Sequence, residues 1–209
     1  MCYRSSMLKV GLTGGIATGK STVSRLFVEC GARLIDADVL ARDAVAPGTP
    51  ACREIAAAFG QDMLRADGSV DRARLGAAVF ADPAARARLE AIIHPQVFAG
   101  EERLCRDITA TDPTAVVLFD AALLIETGAH TRKDRVIVVT ADEPTQLRRL
   151  MDRTKLLEDD ARRRIRSQMP MADKVAVADY VIDGTLPLDT LRAEVRRIYA
   201  ELTHQTGKR

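Results

Sequence analysis

At 209 residues the chain is long enough to bury a sizeable core and suits one domain with insertions. Its 31 Lys and Arg against 29 Asp and Glu leave a formal charge of +2, so bulk electrostatics favour neither nucleic acid nor an anionic membrane as partner, and any anion must be held locally. Cys2, Cys30, Cys52 and Cys105 lie far apart with no C-x-x-C pair, which fits neither a zinc site nor a dense disulfide framework and points to a reducing compartment. The opening Met1-Cys2-Tyr3-Arg4-Ser5-Ser6-Met7 lacks the apolar run of a signal peptide, and no stretch approaches the roughly 18 apolar residues of a membrane span. A soluble cytoplasmic protein is expected, with Met1 and Met7 both candidate starts.

The first predicted strand, 8–13, runs into Gly14-Gly15-Ile16-Ala17-Thr18-Gly19-Lys20-Ser21, a full match to G-x-x-x-x-G-K-[ST] in the strand-to-helix setting that a phosphate-binding loop requires. Glycines at the bends let the backbone wrap a phosphate so that several N–H groups point inward. Lys20 is placed to reach the β and γ phosphates, and Ser21 to offer its hydroxyl to Mg²⁺. A helix from Lys20 to about Cys30 sets its positive dipole end beneath them.

Four further apolar runs read as strands at 33–36, 115–120, 135–140 and 180–182. Val116-Val117-Leu118-Phe119 and Val136-Ile137-Val138-Val139 do not alternate, as expected for strands covered on both faces. Five such runs separated by helical stretches predict an α/β fold, a five-stranded parallel sheet between helices. The gap at 39–114 is too long for a simple crossover. Its Ala, Leu and Arg content, a turn at Gly68 and helix starts near Asp71 and Asp82-Pro83 make it a helical insertion. A second helical insertion, 146–177, suggests a lid.

Asp36-Ala37-Asp38 ends the second run, at the edge where open parallel sheets gather ligands. A carboxylate there can orient an acceptor hydroxyl and take its proton, as an aspartate does in kinase phosphoryl transfer. Asp38 as the cap of a helix beginning at Val39 is the plainer alternative. Asp120 ends another run, in a position to hold Mg²⁺ directly or through water, or to be a strand-terminal polar residue only. The 146–168 stretch is rich in arginine. Most of it should be a solvated face, but phosphoryl transfer needs cations around the transferred group, and Arg149 and Arg153, four apart on one helix face, are the first choices. His94-Pro95 reads as a substrate contact or as a helix break with a satisfied histidine.

The ordered set of these residues resembles the dephospho-CoA kinase family over nearly the whole chain. Carrying the resemblance are Leu12-Thr13-Gly14-Gly15-Ile16, Ile35-Asp36-Ala37-Asp38, Phe59-Gly60, Asp67-Gly68-Ser69-Val70-Asp71-Arg72 and Leu89-Glu90-Ala91-Ile92-Ile93-His94-Pro95. Leu123-Leu124-Ile125-Glu126, Gln146-Leu147-Arg148-Arg149-Leu150, Gln168 and Ala178-Asp179-Tyr180-Val181-Ile182 extend it. The resemblance implies a P-loop kinase that moves the γ-phosphate of ATP to the ribose 3′-hydroxyl of dephospho-CoA, with Mg²⁺, giving CoA and ADP. It implies a nucleotide-binding core at 7–38, 115–145 and 178–209, a mainly helical CoA-substrate domain at 39–114 and a lid at 146–177.

By position, Asp38, Lys20 and Arg149 are then the catalytic candidates. Gly14, Gly15, Ile16, Ala17, Thr18, Gly19, Lys20, Ser21 and Thr22 hold the nucleotide, Ser21 and Asp120 the metal. Asp38, Arg72, His94 and Leu123 fall to dephospho-CoA. A monomer acting on a small molecule is expected, with no nucleic acid or membrane as partner. Four positions depart from the usual family pattern: Ala17 stands for a loop glycine, Thr18 for the serine after it, Ala122 for a proline and Gly184 for an asparagine. Another P-loop kinase of a small metabolite or nucleoside monophosphate, or a nucleotide-dependent regulatory ATPase, is the alternative, although neither the Asn-Lys-x-Asp nor the Asp-x-x-Gly of a GTPase switch occurs.

Overall fold

A computed structural model describes residues 7–80 and 82–206, so Cys2 and the choice between Met1 and Met7 lie outside the described residues. The chain divides into two compact units, one formed by residues up to 35 and from 107 onward, the other by 36–106.

The first unit is the predicted sheet. Strands β1 (Leu8–Gly14), β2 (Arg33–Asp36), β3 (Val116–Asp120), β4 (Arg135–Thr140) and β5 (Tyr180–Asp183) lie in the order β2-β3-β1-β4-β5. β1 pairs in parallel with both β3 and β4, and β4 with β5. β2 and β3 thus lie on one side of β1 and β4 and β5 on the other, and the carboxyl end of β1 is the switch point at which such sheets bind ligands. β3 is buried at every position, the two-sided burial that its unbroken apolar run predicts.

Helix α1 (Lys20–Glu29) buries Val23, Leu26 and Phe27 against Leu8, Val10 and Leu12. Beyond β5 the chain carries Leu191, Val195, Ile198 and Leu202 at the 3.6-residue spacing of one helix face, a helix that the sequence analysis does not delimit. They form the buried stripe of a C-terminal helix that joins the same core.

The second unit is helical, as expected. It comprises α2 (Ala37–Ala44), α3 (Pro50–Phe59), α4 (Arg72–Phe80) and α5 (Pro83–Thr111). Both expected helix starts are found. Asp71 accepts from the amides of Ala73 and Arg74, and Asp82 from those of Ala84 and Ala85. The Arg74 amide above all holds the Asp71 carboxyl below its ordinary range. The turn before α4 needs a left-handed residue, supplied by Gly68 at φ +78°. Gly100 lets α5 lie close to α2, since a Cβ there would come within 3.1 Å of Leu40. The insertion expected at 39–114 divides off earlier at both ends because α5 runs unbroken to Thr111 and the boundary falls inside it.

Helix α5 also corrects the reading of His94-Pro95 as a helix break. Pro95 sits inside the helix. One lost backbone bond is a cost that a 29-residue helix, which buries Val97, Glu101 and Cys105 beyond the proline, absorbs.

The lid segment forms α6 (Glu143–Thr154), α7 (Glu158–Arg166) and α8 (Met171–Val175), and it belongs to the first unit. Asp142 caps α6 through the Thr145 amide, and hydrogen bonds from Thr145 hold its carboxyl below the ordinary value. The remaining helix is α9 (Leu188–Thr206).

Candidate active site

The loop that leaves β1 has the conformation its glycines permit. Gly19 stands at φ +98° and begins α1, and a Cβ on Gly14 would approach the Val139 carbonyl oxygen to 2.6 Å. Thr18 donates its hydroxyl to the Gly15 carbonyl at 3.0 Å, closing the loop on itself. Ala17 is left-handed at φ +59°. That geometry costs an L-residue about 1–2 kcal/mol, set against about 0.5–1 kcal/mol of chain entropy that alanine saves over glycine. Ala17→Gly should therefore raise stability by up to about 1.5 kcal/mol. Urea denaturation checks this, and a lower midpoint in the variant would contradict the strain.

The lid is packed onto the loop. Leu147 and Leu150 of α6 and Ala161 of α7 cluster with Ile16 and Ala17. Arg149, expected as a lid arginine near the nucleotide, donates to the carbonyls of Ala17 and Thr18 at 3.4 and 3.3 Å and to that of Gly184 at 3.0 Å. Gly184 itself has no room for a side chain, since a Cβ there would fall 1.9 Å from the Thr18 oxygen. The segment after β5 therefore lies in direct backbone contact with the loop. Arg149 and Arg153 line a groove of about 380 Å³ together with Gly19, Ser21, Thr22 and Leu186.

Lys20 and Asp120 form an ion pair at the ends of α1 and β3. The register that sets Leu12 beside Asp120 brings this about. Ser21 and Asp120 offer only hydroxyl and carboxylate oxygen, hard donors of the kind that would suit Mg²⁺.

Asp38 and Arg72 both belong to the second unit. They line one cavity of about 430 Å³ with Arg42 at its rim and Ile55, Val70 and Leu75 among its walls. The alternative in which Asp38 caps its helix is overturned. Asp36 is the cap, its carboxylate accepting from the Val39 amide at 3.0 Å, and Asp38 lies in the first turn, exposed. His94 does not line this cavity. Its half-buried ring leans on Phe98 one turn further along α5, at 5.8 Å between centroids.

Leu123, in the first unit, is 53% exposed beyond the end of β3. The turn that carries it is fixed by residues to which sequence reading assigned no role. Thr13 donates its hydroxyl to the Ala122 carbonyl at 3.2 Å, and Lys174 of α8, wholly buried, reaches Glu126 at 2.5 Å and the same carbonyl at 3.5 Å.

The dephospho-CoA kinase family model matches residues 8–188. A dephospho-CoA kinase of Streptomyces avermitilis is 49% identical over 199 residues, covering 95% of this chain and 96% of that protein. One from Geobacter sulfurreducens is 49% identical over 193 residues, covering 92% and 97%. Among solved structures, the crystal structure of TT1252 from Thermus thermophilus aligns with a TM-score of 0.80 at 30% identity, over 94% of this chain and 98% of that one.

Proposed function

The chain belongs to the dephospho-CoA kinase family, and we propose a division of labour in which the braced loop of the first unit takes ATP and the cavity of the second takes the acceptor. The reaction is the kinase step of coenzyme A synthesis, with ATP as co-substrate. The observation that carries this reading is the intact loop: all of its chemistry-bearing residues are present and folded in a chain that the family model matches over 8–188.

The inward N–H groups of the loop and the Lys20 ammonium hold the β and γ phosphates. Lys20 reaches them by exchanging its Asp120 partner for phosphate oxygen. Ser21 and Asp120 are the residues that would hold Mg²⁺, which when bound neutralises charge on the β and γ oxygens. Arg149 and Arg153 make the groove wall positive beside the loop, where charge spreads in the transition state.

Asp38 orients the ribose 3′-hydroxyl of dephospho-CoA and takes its proton as the oxygen attacks the γ-phosphorus, so the bond to the β–γ bridging oxygen breaks and ADP leaves. Arg72 and Arg42 on the same cavity supply positive charge to the phosphates of the acceptor, and the apolar walls supply contact area. Leu123 and His94 are offered as further substrate contacts. No helix among the described residues is long and apolar enough to cross a membrane; we place the enzyme in the cytoplasm, as a monomer without nucleic-acid partners.

The test is ADP formation from Mg·ATP with and without dephospho-CoA, with the product identified by mass and its phosphate located by NMR. Acceptor-dependent ADP and phosphate on the 3′-oxygen are expected. ATP binding with no stimulation by dephospho-CoA would instead select another metabolite kinase, and stimulation by a protein partner alone a regulatory ATPase. No feature of the site favours either alternative.

A further inference from the structure

The outward-facing groups of the phosphate loop are satisfied from the lid. A loop that turns its N–H groups inward to a phosphate turns carbonyls outward, and each needs a donor or water. Here the Ile16 carbonyl accepts from Gln146 Nε2 at 2.8 Å and the Ile16 amide donates to Gln168 Oε1 at 2.6 Å. The next two carbonyls, of Ala17 and Thr18, accept from Arg149. Gln146 is almost fully buried, 6% exposed, where a lost partner is not replaced by water. The polarity is dictated by the backbone: one glutamine must act as donor and the other as acceptor.

We propose that Gln146 and Gln168 are positioning residues that, together with Arg149, hold the phosphate loop in its anion-receiving shape before nucleotide arrives. They bracket one residue, Ile16, from two different lid segments, on α6 and between α7 and α8, and that residue immediately precedes the left-handed Ala17. A loop held in this way enters binding already ordered, and the ordering cost is not charged against ATP affinity. The lid therefore has a static role at its two glutamines, apart from any motion of its arginines.

The inference rests on the nucleotide reading of the loop, and its test separates the two. Calorimetric Mg·ATP binding to the unaltered protein tests that reading first: no binding would overturn it, and the proposal with it. With binding established, Gln146→Ala and Gln168→Ala should each weaken Mg·ATP by about tenfold, the scale of one net hydrogen bond. In nucleotide-free protein, NMR amide exchange at Ile16 should be slow and should speed about tenfold in Gln168→Ala, with Val10 in β1 unchanged. Gln168→Glu keeps an acceptor and should restore the slow exchange at Ile16. Gln146→Glu loses the donor and should bind Mg·ATP no better than Gln146→Ala.

That asymmetry is one that side-chain packing alone would not produce. Should an alanine variant fail to fold, the two glutamate variants carry the test. Unchanged Ile16 exchange in Gln168→Ala, unchanged ATP affinity in the alanine variants, or wild-type affinity in Gln146→Glu would each overturn the proposal.

Discussion

Asp38→Asn is expected to bind Mg·ATP normally and to lose about 10² to 10⁴ in dephospho-CoA-dependent turnover, the usual worth of a positioned general base. Asparagine keeps the size of the side chain and one acceptor oxygen but cannot take up a proton at neutral pH, so the loss should appear in kcat more than in the KM for ATP. The structure makes this a cleaner test than the sequence allowed. Because Asp36 is the cap of α2 and Asp38 an exposed residue of its first turn, stability should fall in Asp36→Ala, by about 0.5–2 kcal/mol, and hold in Asp38→Asn. Steady-state kinetics beside thermal denaturation separate the two. A stable Asp38→Asn enzyme with ordinary turnover would remove Asp38 from the chemistry.

Signals that act over a few residues were legible in the sequence. The non-alternating runs gave the strands because a sheet covered on both faces buries every side chain, and β3 does so. Asp71 and Asp82-Pro83 gave helix starts because a cap needs only the three residues that follow it. The loop was legible because glycines, lysine and hydroxyl sit within eight residues. Arg72 could be named only through the resemblance, since the cavity it shares with Asp38 is walled by residues from several helices.

Interactions across more than a hundred residues were not legible. Gln146 and Gln168 lie 130 and 152 residues from Ile16, the residue they bracket, and nothing local distinguishes them from solvated glutamines. The charge run of 146–168 concealed the same fact for Arg149. Pro95 misled in the opposite direction, because the propensity of a proline to end a helix is weaker than the packing that sustains α5.

Lys174→Met should produce the largest stability loss. The Lys174 side chain is fully buried, and its ammonium meets Glu126 at 2.5 Å. Glu126 is 20% exposed, and its second carboxylate oxygen is buried with no hydrogen-bond partner. Deleting the cation therefore strands a largely buried negative charge, at a cost of about 3–5 kcal/mol. In a chain of this length that corresponds to a fall in Tm of roughly 10 °C.

Removing the charge from both partners should recover much of the loss, because the attraction between buried ions is largely offset by their desolvation. Lys174→Met/Glu126→Gln is thus expected to be substantially more stable than Lys174→Met alone, giving a coupling energy that a double-mutant cycle in urea measures. Equal destabilisation of the single and double variants would mean that Lys174 matters for its bulk and not for its charge. The pair and Thr13 converge on the turn that presents Leu123, where Ala122 replaces the usual proline. Proline stiffens such a turn through its own fixed φ. In this chain the stiffness comes from outside the turn, through a hydroxyl and an ammonium bound to the Ala122 carbonyl, so loss of Lys174 should loosen the segment next to the end of β3 before it unfolds the sheet.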